Sequence, residues 1–138
     1  MVRTFFGLKL WEKFFKLVKT SWFLLTSLTM DEIKLKESDV TKQILDMLNY
    51  VPRVYAYKHW GGPMGTKGVH DIICCFRGVF LSIEVKNPAR KLEYSKDQAD
   101  FARKVEEANG RVLLVNSVDQ VAQELNLDIK LFPIFERK

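Results

Sequence analysis

The chain is short of cysteine: only Cys74 and Cys75 occur, side by side. Neighbouring strand residues point to opposite faces, so the two cannot readily form a disulfide or share a metal. A disulfide framework is thereby excluded. Both thiols are expected to act as small buried hydrophobes in a reducing, cytoplasmic setting. Proline and glycine are also few, 4 and 7, which with an ordinary apolar share excludes a disordered chain. No charge-free apolar run reaches the ~20 residues of a membrane-spanning helix. The apolar stretch from Trp22 to Leu28 is short and no small-residue cleavage pattern follows, which argues against a signal peptide. No internal repeat and no low-complexity tract interrupts the 138 residues, a length that suits one domain.

What charge there is lies unevenly. Arg3, Lys9, Lys13, Lys16 and Lys19 face only Glu12 before Met30, so residues 1–29 hold +4 of the formal +5. The high isoelectric point is therefore a property of the leader and says little about what the rest binds. The leader is rich in Phe, Trp and Leu, with Lys9, Lys13 and Lys16 on one helical stripe. It reads as a basic amphipathic helix for a membrane surface or a partner. Alternatively, translation starts at Met30 and the leader lies outside the working protein, which is residues 30–138.

From Asp31 the pattern becomes regular. Val40, Ile44, Leu45, Met47 and Leu48 recur at helical spacing behind Ser38, the expected N-cap, and Pro52 closes the helix. Val54 to Trp60 reads as a strand, followed by a flexible loop over Gly61, Gly62, Pro63, Met64 and Gly65. Asp71 to Phe76 and Val79 to Lys86 read as strands joined across Arg77-Gly78. Ser95 and Gln98 form a capping box that opens a helix ending near Gly110. Val112 to Val115 reads as a buried strand, and Ser117 with Gln120 repeats the capping box before a short helix through Leu125. The predicted order is αβββαβα, an α/β fold.

A two-residue turn at Arg77-Gly78 dictates a register. Phe76 pairs with Val79, Ile73 with Ser82, and Asp71 falls opposite Glu84, with Cβ atoms about 5 Å apart. Lys86, two residues beyond Glu84, projects from the same face. Two carboxylates at that distance repel by about 3 kcal/mol at an effective dielectric near 20. A divalent cation bridging them would compensate. Oxygen-only ligation, completed by the Val85 carbonyl, suits Mg²⁺ or Mn²⁺ and not Zn²⁺. Taken alone, the Glu84-Val85-Lys86 triplet is also what any solvent-facing strand displays.

Gly68-Val69-His70-Asp71, then Ile83-Glu84-Val85-Lys86, then Ser95 with Gln98, resembles the VRR-NUC branch of the PD-(D/E)XK nucleases, closest to small phage-type stand-alone proteins. The similarity reaches upstream to Glu37-Ser38-Asp39-Val40 and downstream through Gly110, Val112 to Val115 and Ser117; it leaves out the leader. The resemblance implies a restriction-endonuclease-like αβββαβ core, a mixed central sheet flanked by helices. It implies that Asp71 and Glu84 ligate the metal and that Lys86 orients the attacking water and stabilises phosphate charge. Glu37 matches an additional acidic residue that binds metal or a metal-bound water; it equally suits a helix N-terminus. Gln98 matches a glutamine that supports the site, alongside its capping duty. Where the family usually has proline before the aspartate, this chain has His70, expected by alternation to point away as a satisfied surface histidine.

Such a site implies Mg²⁺- or Mn²⁺-dependent hydrolysis of DNA. The family analogy favours structure-selective cleavage of branched, nicked or flap substrates, in the manner of junction resolvases. Lys58, His59, Lys67, Arg90, Lys91 and Lys96 surround the motifs as candidate contacts to the DNA backbone, and each also reads as an ordinary solvated charge. A homodimer is expected by analogy, and membrane contact only through residues 1–29. The competing class is a catalytically inactive DNA-binding or assembly module of the same fold.

Overall fold

The computed structural model describes residues 35–128, and the compact unit that holds them begins at Leu35. The basic helix expected in residues 1–29 lies outside the described residues. Those described form a mixed α/β fold in the order α1 (Glu37–Tyr50), β1 (Val54–Lys58), β2 (Ile72–Phe76), β3 (Val79–Val85), α2 (Lys96–Glu107), β4 (Arg111–Val115) and α3 (Val118–Glu124). The sheet order is β1-β2-β3-β4; β1 to β3 are antiparallel, and β4 lies parallel to β3. No helix among the described residues is long and apolar enough to cross a membrane.

The turn behaves as its sequence demands. Arg77 and Gly78 have φ of 51° and 88°, the paired positive values of a type I′ hairpin, whose twist matches that of the strands. Phe76 therefore meets Val79, and the ladder runs through Ile73↔Ser82 to Ile72↔Ile83. The ladder ends there, and Asp71, one residue before β2, sends its carboxylate to the Val85 N–H next to Glu84.

Alternation then sorts the sheet into two faces. Ala56, Ile72, Cys74, Leu81, Ile83, Val85, Leu113 and Val115 bury one face in a single core with Val40, Ile44, Met47 and Leu48 of α1 and Val121 and Ala122 of α3. The other face is covered by α2 only in part. Ser82 and Glu84 are buried there, whereas Tyr55, Tyr57 and Phe80 remain exposed. Cys74 is buried as expected; Cys75 is exposed, because alternation turns it to the half-face that α2 leaves open.

Three local expectations need correction. Helix α1 starts at Glu37 and not after Ser38, because the Asp39 carboxylate reaches back to accept from Lys36 N–H at 3.1 Å and caps the helix two residues earlier. Strand β1 ends at Lys58, short of Trp60. In the second capping motif Gln120 Oε1 accepts from Asn116 N–H, not from Ser117. The Ser95–Gln98 box forms in full. Helix α2 closes in a Schellman turn with Asn109, not glycine, at positive φ, and Gly110 N–H donating to the Val105 carbonyl.

Strand β1 is an edge, and α1 blunts it. The Asn49 side-chain amide donates to the Ala56 carbonyl and accepts from Ala56 N–H, both at 3.1 Å. Asn49→Ala should leave both groups unpaired at a residue only 5% exposed, at a cost of about 2 kcal/mol. The urea midpoint is expected to fall with an unchanged denaturant slope.

Candidate active site

The site forms where the β2–β3 ladder ends. Strand β2 begins at Ile72, and a continued ladder would pair Val85 N–H with the backbone of position 70. The Asp71 carboxylate takes that bond instead, Oδ2 accepting from Val85 N–H at 2.9 Å. Asp71 is thereby pinned at the end of β3, while its own carbonyl accepts from His59 N–H at 2.7 Å.

Glu84, the neighbour of Val85 on β3, is 4% exposed. Its Oε1 accepts from Lys86 Nζ at 2.8 Å and from Gln98 Nε2, and Lys86 Nζ also donates to Gln98 Oε1 at 2.8 Å. Glutamate, ammonium and amide thus close a ring of hydrogen bonds between β3 and α2. Gln98 Oε1 accepts from Ser95 N–H as well, so capping α2 and supporting the acidic group are one act. Burial raises the Glu84 pKa above the usual carboxylate value; the Lys86 hydrogen bond opposes this, and the charges of Asp71 and Glu37 add to it. Glu37 is exposed in the first turn of α1, close enough for its charge to be felt at Glu84.

Asp71, Glu84, Lys86 and Gln98 are therefore brought together, with Glu37 at the margin. The candidate phosphate contacts are spread around them. Lys58 ends β1 with its ammonium 4.4 Å from the Trp60 ring centre. Lys67 is exposed in the loop before His70, and Arg90 and Lys91 are exposed between β3 and α2. Lys91 is paired with Glu93. Lys96 opens α2.

His70 overturns its expected surface position. It is fully buried, because β2 has not yet begun at residue 70 and alternation does not govern it. Its ring stacks on Tyr94 at 5.1 Å and meets the edge of Phe101 at 5.0 Å. Nε2 donates to the Gln98 carbonyl at 3.2 Å. A carbonyl only accepts, so Nε2 carries the proton and Nδ1 accepts from the Ser82 hydroxyl. Neutral His70 thus joins β3 to α2 directly beneath Gln98. Tyr94, its pKa pushed up to about 12 by burial and then by Glu84, was not singled out from the sequence. Ser82 had a signal, since it shares a strand face with Glu84.

Burial lowers the His70 pKa below 6.5. The unfolded state then binds the extra proton first, so this contribution to stability is present above about pH 6.5 and lost as pH falls below it. The raised Glu84 pKa acts with the opposite sign, in a window that opens upward from the ordinary carboxylate value. In metal-free buffer the melting temperature is expected to drop between pH 7.5 and 5.5, and to drop less in His70→Gln, which keeps Glu84.

The donors suit a hard cation. Asp71 Oδ1 and Glu84 Oε2 have no hydrogen bond among the described residues, and His59 Nε2, on the residue paired with Asp71, is buried without a partner. The Val85 N–H points toward β2, and in extended backbone its carbonyl points the same way. No group of three His, Cys, Asp or Glu residues among those described could hold a metal by itself. Mg²⁺ commonly takes only one or two carboxylates and keeps waters and phosphate oxygens for the rest. Two carboxylates and a carbonyl fit that pattern. Compared with known protein families, curated proteins and solved structures, the chain matches none.

Proposed function

We propose that this chain is a Mg²⁺- or Mn²⁺-dependent DNA endonuclease with a restriction-endonuclease-like core of the VRR-NUC kind, hydrolysing phosphodiester bonds in branched, nicked or flap DNA. The observation that carries the reading is the Asp71 carboxylate bound to Val85 N–H beside the buried Glu84, with Lys86 clamped between Glu84 and Gln98.

Asp71, Glu84 and the Val85 carbonyl would hold the ion, with Glu37 reaching it through water. When bound, the ion supplies Lewis acidity to a phosphate oxygen and lowers the pKa of a water. Lys86 orients that water and answers the charge developing on the phosphate. Gln98 keeps the Lys86 ammonium and the Glu84 carboxylate at a set separation. His70 and Ser82 hold Gln98's helix against the sheet. Lys58, Lys67, Arg90, Lys91 and Lys96 would contact the DNA backbone.

Plasmid, nicked, flap and four-way-junction DNA, incubated with Mg²⁺, Mn²⁺ or EDTA, test this directly. Cleavage is expected with either ion and none in EDTA. Protein that binds these DNAs and cuts none with either ion would be a binding or assembly module instead.

A further inference from the structure

Helix α2 leaves half of one sheet face open, and what lies there is aromatic. Tyr55 is 69% exposed, Tyr57 47% and Phe80 45%. Tyr55 pairs with Cys75, which pairs with Phe80, while Tyr57 pairs with Ile73. All five therefore share one face, and it is the face of Ser82 and Glu84. The two tyrosine rings lie 6.2 Å apart. The next pair along the same parity is His59 with Asp71, joined by a backbone hydrogen bond. The open rings thus run straight into the acidic site, with Tyr57 one step of about 7 Å along the strand from it.

The chain segment that carries the open rings is poor in carboxylates. From Pro52 to Ile83 the chain carries Arg53, Lys58, Lys67 and Arg77 and a single carboxylate, Asp71. Lys58 and Phe76, whose neighbours Trp60 and Arg77 complete two cation–ring pairs at 4.4 Å and 5.2 Å, have the parity of Ala56 and Cys74 and belong to the other face. Exposed rings leading to a site that would hold a phosphodiester are what an unpaired nucleic-acid strand uses, since bases stack on rings whatever their identity. A duplex keeps its bases stacked on one another and gains little from them. A second protein strand is poorly served, because Asn49 already takes both outward polar groups of Ala56 in the middle of β1.

We propose that Tyr55 and Tyr57 form a stacking platform for unpaired bases next to the phosphodiester held at Asp71 and Glu84, so that the substrate is DNA with a single-stranded segment. This rests on the nuclease reading and names its substrate.

The test uses the full chain in EDTA and the fluorescence anisotropy of a labelled single-stranded oligonucleotide and of its duplex. The wild type is expected to prefer the single strand. Tyr55→Thr/Tyr57→Thr, which keeps strand propensity without the rings, should weaken single-strand binding about tenfold or more and leave duplex binding unchanged. Tyr55→Phe/Tyr57→Phe should bind as the wild type does, because the rings and not the hydroxyls stack. A wild type that prefers duplex overturns the proposal. So does a threonine variant that binds the single strand as tightly as the wild type, the result expected if a second copy or one of the chain's own terminal segments occupies the face. Cleavage in Mg²⁺ is scored separately. Tyrosine-dependent binding without cleavage defeats the nuclease reading alone, and cleavage with tyrosine-independent binding defeats the platform alone.

Discussion

Asp71→Asn is expected to cut DNA about 10³-fold more slowly than the wild type in Mg²⁺ while folding normally. The asparagine side-chain carbonyl can still accept the Val85 N–H that Asp71 Oδ2 now takes, so the end of the β2–β3 ladder survives. What disappears is a negative charge beside Glu84. Glu84→Gln makes the companion case. A glutamine oxygen can still accept from Lys86 and Gln98, but the charge is gone. Because burial, with the charges of Asp71 and Glu37, holds the Glu84 pKa above its ordinary value against the opposing Lys86 hydrogen bond, folding costs the ionised side chain free energy relative to the unfolded chain. Removing its charge should therefore raise thermal stability in metal-free buffer while activity falls by a similar factor. Activity lost with stability gained is the signature of a carboxylate kept for chemistry. A glutamine variant that is less stable and still active would make Glu84 a structural partner of Lys86.

Gly68→Ala is expected to have the largest effect on stability. Gly68 has a φ of +78°, and a Cβ built there would lie 2.2 Å from the Asp97 carbonyl oxygen and 2.8 Å from Gln98 N. Those are backbone atoms in the first turn of α2, which cannot step aside as a side-chain tip can. Left-handed strain alone costs roughly 1–2 kcal/mol. With the displacement of α2 added, the total should reach about 3 kcal/mol or more, lowering the melting temperature by roughly 12 °C or more. The same movement would pull His70 from the Gln98 carbonyl and disturb the clamp on Lys86, so cleavage should fall as well. Gly78→Ala is the control. Its φ is +88°, but nothing lies within 4 Å of an added Cβ, so only the strain applies. Equal effects at the two glycines would mean that Gly68 does not dock against α2.

Element order and sheet register were legible because each follows from local chemistry. A two-residue Arg-Gly turn has one well-matched geometry, and that geometry sets every pair up the hairpin. The Ser95–Gln98 box was legible for the same reason. His70 was not. Its burial depends on β2 not beginning until Ile72 and on Tyr94 and Phe101 arriving from residues more than twenty positions away, and strand alternation says nothing before a strand begins. The closure of Lys86, Glu84 and Gln98 into one hydrogen-bonded ring was likewise out of reach, since it depends on how α2 packs on the sheet. Net charge misled in a different way. Summed over the domain it nearly cancels, yet the segment bearing the open tyrosines carries four cations against one anion.

The most direct test is anomalous diffraction from crystals grown in Mn²⁺. A manganese peak about 2.1 Å from an oxygen of Asp71 and from an oxygen of Glu84, with the Val85 carbonyl in the same shell, is the expected result. Crystals saturated with Mn²⁺ that show these two side chains ordered and no peak between them would contradict it.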